Sequence, residues 1–87
     1  MIHPEMSEFL DFVESKRPDE DYCFSEAESC ACGQYAASIG IMRGDWMKEM
    51  SEGSFWQDAN ALAGQGSHYF GPLAARIRQH MKEEAVA

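Results

Sequence analysis

Apolar positions recur at helical spacing near the start of the chain. Four of them follow the i, i+3, i+4, i+7 pattern of one helical face, with carboxylates at most other positions: Met6, Phe9, Leu10 and Val13. The pattern predicts a first helix from Pro4 to Lys16. Pro4 suits a first helical position, and Pro18 stops the helix just after its basic end.

The next stretch, Pro18–Phe24, has no helical or strand period. It holds a proline and three consecutive acids, followed by two aromatic residues with a cysteine between them. Such a composition predicts an irregular connection. We expect its aromatic end to fold back onto the core.

A second helix is predicted from about Glu26 to Ile39. Ser25 and Glu28 have the spacing of a capping box, and Ser29 is an alternative cap. The segment is rich in small residues, which favours a central, buried position. Gly40 fits the left-handed position that follows many helix ends.

Three further helices are predicted in the second half of the chain. Asp45 is a candidate cap for a short helix that Gly53 ends, Ser54 with Gln57 repeats the capping-box spacing, and Pro72 suits the start of the last helix. Their apolar residues are Trp46, Met47 and Met50 in the first, Phe55, Ala59, Leu62 and Ala63 in the second, and Leu73, Ile77 and Met81 in the third.

These patterns predict an all-α fold. No period-two strand, internal repeat or low-complexity tract appears, so we expect residues 1–87 to form a single acidic helical domain, a compact bundle of four to five short helices. Hydrophobic residues make up 45% of the chain, which suffices for one core. A small hairpin near Tyr22 or Ile41 is the alternative to an irregular loop there.

Charge narrows the classes of partner. The formal net charge is -8, and residues 1–28 alone hold nine carboxylates against Lys16 and Arg17. An acidic surface repels phosphate backbones and anionic lipid headgroups, so we expect no direct binding to nucleic acid or membranes. The acidic N-terminus also lacks the basic start and apolar run of a signal peptide, which favours the cytoplasm.

The cysteines are weak candidates for chemistry. A C-x6-C-x-C spacing lacks the paired knuckle of a zinc site, and the acidic surroundings should raise the pKa of each thiol. We expect reduced, structural thiols, no metal and no cofactor. The residues weighed as zinc ligands are Cys23, Cys30, Cys32, His3, His68 and His80.

No catalytic signature is present. The chain has no nucleophile elbow, phosphate loop or dinucleotide fingerprint, and carboxylate pairs carry no information among fifteen acids. We therefore expect no enzyme activity. Most aromatic residues should pack in the core, but Trp56 and Tyr69 lie off the apolar stripes, and both are predicted to be exposed and to anchor a partner.

Two short motifs carry a resemblance. The segments Asp19–Tyr22 and Cys30–Tyr35, followed by Gly40, are similar to a pattern in small uncharacterised proteins of phages and prophages. The resemblance covers about a quarter of the chain. It implies an acidic protein that looks like the inhibitors which such elements direct against host nucleic-acid machinery, including anti-CRISPR proteins.

Three functional hypotheses follow. The leading one is a phage-type interaction protein that binds and inhibits a basic host nucleic-acid-processing protein or nucleoprotein complex through Glu14, Asp19, Glu20 and Asp21, because acidic side chains are attracted to a groove built for nucleic acid. The first alternative is a structural or assembly module, including a homo-oligomer, that uses Trp56, Tyr69 and methionine surface. The second is a small metal-binding regulator that uses the cysteines.

Overall fold

The computed structural model describes residues 5–26, 29–50 and 54–86. Within those residues the chain forms five helices and no strand, which confirms the predicted all-α bundle. The helices are α1 (Met6–Glu14), α2 (Ala31–Ser38), α3 (Arg43–Lys48), α4 (Phe55–Gly64) and α5 (Phe70–Val86).

The helices surround one core. Helix α5 packs mainly along α1, while α2 packs on both α3 and α4, and α1 also touches α2 and α4. The largest completely buried side chains are Phe9, Phe70, Leu73, Ile77, Val13 and Cys32. The described part of the chain contains no helix that is both long and apolar enough to cross a membrane.

Helix α1 buries the face that its spacing predicts. Phe9 and Val13 are buried, and the flanking apolar residues pack partly against the core. The helix ends at Glu14, two residues before the predicted end at Lys16. Beyond the helix end, the Lys16 ammonium lies 5.1 Å from the centre of the Phe12 ring, in a cation–π contact. Pro4 lies outside the described residues.

Helix α2 begins later than predicted, at Ala31. The described residues just before it form turns, and the N-cap is Cys30, whose sulfur accepts a hydrogen bond from the Gly33 N–H at 3.3 Å. The predicted caps were therefore wrong for Ser25 and Ser29, and Glu28 lies outside the described residues. A sulfur cap is a weak acceptor that standard capping preferences do not include.

The predicted end of α2 is confirmed. Gly40 has a φ of +79°, and its N–H donates to the Ala37 carbonyl at 3.2 Å. The Ile41 N–H donates to the Ala36 carbonyl at 2.8 Å. Together the two bonds form a Schellman motif, which satisfies carbonyls that a helix end leaves without partners.

The number of later helices agrees with the prediction, but the residues at which they begin agree only in part. Helix α3 begins after Met42, so Asp45 lies in its first turn rather than at its cap. Helix α4 is capped as predicted, since the Ser54 hydroxyl accepts from the Gln57 N–H at 3.1 Å. Pro72 is the third residue of α5, where its missing N–H still costs no helical bond. The predicted stop at Gly53 lies outside the described residues.

Candidate protein-binding surface

The acidic connection after α1 is held against the start of α5. Three backbone hydrogen bonds of 3.0 Å join them: Gly71 N–H to the Pro18 carbonyl, Phe70 N–H to the Glu20 carbonyl, and Tyr22 N–H to the His68 carbonyl. Asp21 and Tyr69 form an isolated antiparallel bridge. The connection is irregular, as predicted, with turns and this one bridge, and its partner lies far away in sequence rather than in a local hairpin. It is called the acidic strip below.

Tyr22 anchors the end of this strip in the core. Its hydroxyl donates to the Ala63 carbonyl at 2.7 Å and accepts from the Arg76 guanidinium at 3.1 Å. Arg76 also donates through Nε to the Leu62 carbonyl at 2.8 Å. Both carbonyls belong to the last turn of α4, where the Leu62 carbonyl otherwise accepts only the long 3.4 Å bond from the Gln65 N–H, so Tyr22 and Arg76 complete that helix end.

The environment of Tyr22 also changes its acidity. Burial raises the pKa of the Tyr22 phenol, and the nearby Arg76 guanidinium offsets part of that rise. The ring packs against Phe70 and His68, with centroid distances of 5.1 and 5.6 Å. As predicted, the aromatic end of the connection folds back onto the core, and this holds the acidic residues before it in place.

The structure brings two of the predicted contact residues together. Asp21 is exposed and pairs with Tyr69, of which 46% is exposed. Beside them runs a shallow groove lined also by Cys23, Phe24 and His68. The surface formed by Glu20, Asp21 and Tyr69 is called the acidic–aromatic surface below.

The four predicted carboxylates differ in their availability. Glu14 forms an ion pair with Arg78, and Asp19 forms one with Arg17 at 3.1 Å. Glu20 and Asp21 take part in no ion pair within the part of the chain that the structure describes. Exposed ion pairs contribute little to stability, so a partner can displace those of Glu14 and Asp19. Glu20 and Asp21, in contrast, carry charge that no ion pair within the described residues compensates.

The predicted exposure of Trp56 was wrong. Only 4% of its surface is exposed, and its ring lies 5.4 Å from that of Trp46 and 6.0 Å from that of Tyr35. The inward face of α4 includes Trp56, Ala59 and Ala63, at i, i+3 and i+7 spacing, whereas Phe55 lies at its margin and is half-buried. The predicted stripe began one residue too early, and Trp56 is a core residue.

A second group of exposed carboxylates, which the sequence analysis did not single out, lies along α1. Glu5, Glu8 and Asp11 follow one another at three-residue spacing along α1 and its N-cap, are exposed, and form no ion pair among the described residues. The i, i+3 spacing was visible in the sequence and predicts a shared helical side.

The cysteines divide into one exposed and two buried thiols. Cys23 is exposed, with its sulfur 3.4 Å from the Ser25 hydroxyl oxygen, whereas Cys30 and Cys32 are buried. Burial raises the pKa of the Cys32 thiol far above its usual range, with Cys30 adding to the rise. Within residues 5–26, 29–50 and 54–86, no group of three or more His, Cys, Asp or Glu side chains is arranged to hold a metal ion.

Comparison with known proteins identifies no relative of this chain. No family model matches this chain, and no curated protein or solved structure is significantly similar to it. The resemblance to phage proteins therefore stays a prediction, and the function has to be argued from the surface itself.

Proposed function

We propose that this chain is a non-enzymatic, phage-type interaction protein that binds and inhibits a basic nucleic-acid-processing protein in the cytoplasm of the host. The observation that carries the proposal is the acidic–aromatic surface, in which Asp21 lies beside the exposed Tyr69 and is preceded by Glu20, and neither carboxylate forms an ion pair within the described residues. The proposal assigns no catalytic residue, metal or cofactor.

Rigidity of the backbone supports this assignment. Binding is weakened when interface residues must first be ordered, and the three hydrogen bonds to 68–71 already order the acidic strip. The anchoring of Tyr22 under α4 and α5 holds the same strip from below. The two carboxylates are thus presented in one backbone conformation before a partner arrives.

The combination of residue types also supports it. Tyrosine is enriched among the residues that dominate binding energy, and carboxylates beside it match a basic partner surface. The row of Glu5, Glu8 and Asp11, together with the net charge of -8, would accelerate encounter through long-range attraction. On this proposal, affinity comes from the acidic–aromatic surface and association rate from the wider acidic field.

The proposal is tested by affinity capture from bacterial lysate at low and high salt, followed by mass spectrometry. We expect a nucleic-acid-binding protein that is retained at low salt, is released as salt screens the charges, and is displaced by added nucleic acid. Replacing Glu20 and Asp21 together by Lys should abolish retention, and Tyr69→Ala should weaken it about tenfold or more.

A matched control separates this surface from net charge. Replacing Glu83 and Glu84 by Lys makes the same change of charge near the other end of α5, about 20 Å away by helical rise. We expect this control to keep most of the retention. Equal losses from both double replacements, or retention that is indifferent to salt, would contradict the proposal.

A further inference from the structure

The bridge between Asp21 and Tyr69 determines how their two side chains are arranged. Its two hydrogen bonds are made by the neighbours of the pair, Tyr22 with His68 and Phe70 with Glu20. This pattern makes Asp21 and Tyr69 a non-hydrogen-bonded pair, the kind in which two opposite side chains leave the same face and lie closest together. A carboxylate and a phenol ring therefore project side by side from a hydrogen-bonded backbone.

Both groups of this pair are open to a partner. Asp21 and Tyr69 are exposed, whereas the residues that follow them, Tyr22 and Phe70, are buried. Within the described residues the Asp21 carboxylate forms no ion pair, and no ring or cation stacks on the Tyr69 ring. A ligand that carries both a positive charge and a flat face can therefore use the two groups at once.

The groove beside the pair has room for a long side chain. Its volume is about 510 Å³, and it is lined also by Phe24 and His68, whose ring centroids lie 5.2 Å apart. Long basic side chains lay their aliphatic stems along apolar surface and keep the charged head near water. The groove thus fits a side chain with an apolar stem and a cationic head.

The chemistry of the pair favours arginine over lysine. A guanidinium is planar, stacks on aromatic rings and donates two parallel hydrogen bonds to a carboxylate, whereas an ammonium is a compact and strongly hydrated point charge. The two oxygens of Asp21 and the ring of Tyr69 match a guanidinium in both respects. Arginine is also the residue with which many proteins recognise the phosphates of nucleic acids.

We propose that Asp21 and Tyr69 form a binding site for one arginine side chain of the partner protein. The guanidinium stacks on the Tyr69 ring while it donates to the Asp21 carboxylate, and its stem lies along the groove. This inference rests on the proposed function and names the chemistry of the contact. An arginine held in this way is no longer available to a nucleic-acid phosphate.

Two short peptides test the site on the full chain without any partner protein. One is a blocked glycine pentapeptide with a central arginine, and the other has lysine in its place. In a titration followed by amide NMR shifts, we expect the arginine peptide to bind about fivefold more tightly or better, with large shifts at Asp21 and Tyr69. Saturating arginine peptide should also slow alkylation of Cys23, an exposed thiol that lines the groove.

Substitutions at the pair should remove the preference for arginine. Asp21→Asn and Tyr69→Leu should each weaken binding of the arginine peptide by about fivefold and reduce its advantage over the lysine peptide to about twofold or less. Tyr69→Phe keeps the ring and should keep the preference. Glu83→Gln is the control for charge, because it removes one carboxylate from a distant part of α5, and it too should keep the preference. Circular dichroism verifies that each variant is folded.

Three results would overturn the arginine site: equal binding of the two peptides, no saturable binding of either, or a preference that survives both Asp21→Asn and Tyr69→Leu. Alkylation of Cys23 that bound arginine peptide does not slow would overturn it as well. These results leave the proposed function standing, because that is decided by capture from lysate. Conversely, failure of the capture together with an intact preference for arginine would contradict the proposed function alone.

Discussion

At the scale of single residues, Tyr22 links three parts of the chain. Its backbone N–H bonds to the segment before α5, its hydroxyl bonds to the end of α4, and Arg76 of α5 donates to the same hydroxyl. A buried polar group contributes most when every partner is satisfied, and its removal leaves those partners unpaired. Tyr22 is therefore the residue on which the position of the acidic strip depends.

Tyr22→Phe should lower the free energy of unfolding by about 1–3 kcal/mol, because the Ala63 carbonyl and the Arg76 guanidinium lose their shared partner. Urea denaturation measures the loss. Tyr69→Phe is the matched control, since its hydroxyl makes no hydrogen bond within the described residues and its removal should change stability by less than about 0.5 kcal/mol. Equal effects from the two substitutions would contradict this role.

At the scale of elements, glycine positions show which helix approaches are close. Gly71 and Gly44 are both the second residue of their helices. A Cβ atom at Gly71 would lie 2.9 Å from the Pro18 carbonyl oxygen, whereas one at Gly44 would meet nothing within 4 Å. The same residue type thus lets the acidic strip contact α5 in one place and leaves a helix surface open in the other.

Gly71→Ala should destabilise the fold by about 1–3 kcal/mol, because the new methyl group forces the Pro18 backbone away and breaks the hydrogen bond between them. Gly44→Ala, the control, should stabilise the chain by up to about 1 kcal/mol through helix propensity. Thermal melting compares the two variants. Stabilisation by Gly71→Ala would show that the contact with Pro18 is not needed.

At the scale of the whole molecule, one small core contains several weak acids. Burial is the main cause that raises the pKa of Tyr22, Tyr35 and Cys32, and Glu8 adds to the rise at Tyr35. Each group holds its proton more tightly in the folded chain than in the unfolded chain. Their contribution to stability is therefore complete below their ordinary pKa values, and it is lost as pH rises through the raised ones.

We expect the free energy of unfolding to fall once the pH exceeds about 8.5, the ordinary pKa of a thiol, and faster above about 10, where tyrosine ionises in the unfolded chain. Each group contributes at most about 1.4 kcal/mol per pH unit. Denaturation measured from pH 7 to 11 reveals the slope. Cys32→Ala should flatten the part between about pH 8.5 and 10. An unchanged slope in that variant would exclude Cys32 as its source.

The helical class and the number of helices were predictable because they depend on local spacing. The apolar face of α1, the cap at Ser54 and the left-handed Gly40 each follow from residues within a few positions of one another. The start of α2 was not predictable in this way, since its cap is the sulfur of Cys30. The prediction of which face of α4 is buried was also wrong, because the adjacent residues Phe55 and Trp56 are both aromatic and only packing decides which of them enters the core.

The candidate surface was predictable only in part. The concentration of carboxylates in the first third of the chain is a property of the sequence, and so is their excess over nearby bases. Which carboxylates stay unpaired depended on Arg78 and Arg17, and the first of these comes from a distant helix. The exposure of Met42 and Met47 likewise depended on how α3 packs, because that short helix has only Trp46 as its buried residue.

By itself the sequence determined a bundle of four to five helices, one core, a strongly acidic surface and an aromatic end to the connection after α1, because spacing and charge are local properties. Only the tertiary structure placed Asp21 beside Tyr69, buried Trp56 and left Met42 and Met47 exposed. The physical reason is that side chains distant in sequence meet only after the helices have packed. Local patterns describe which face of a helix is apolar, but they do not encode which neighbour will cover it.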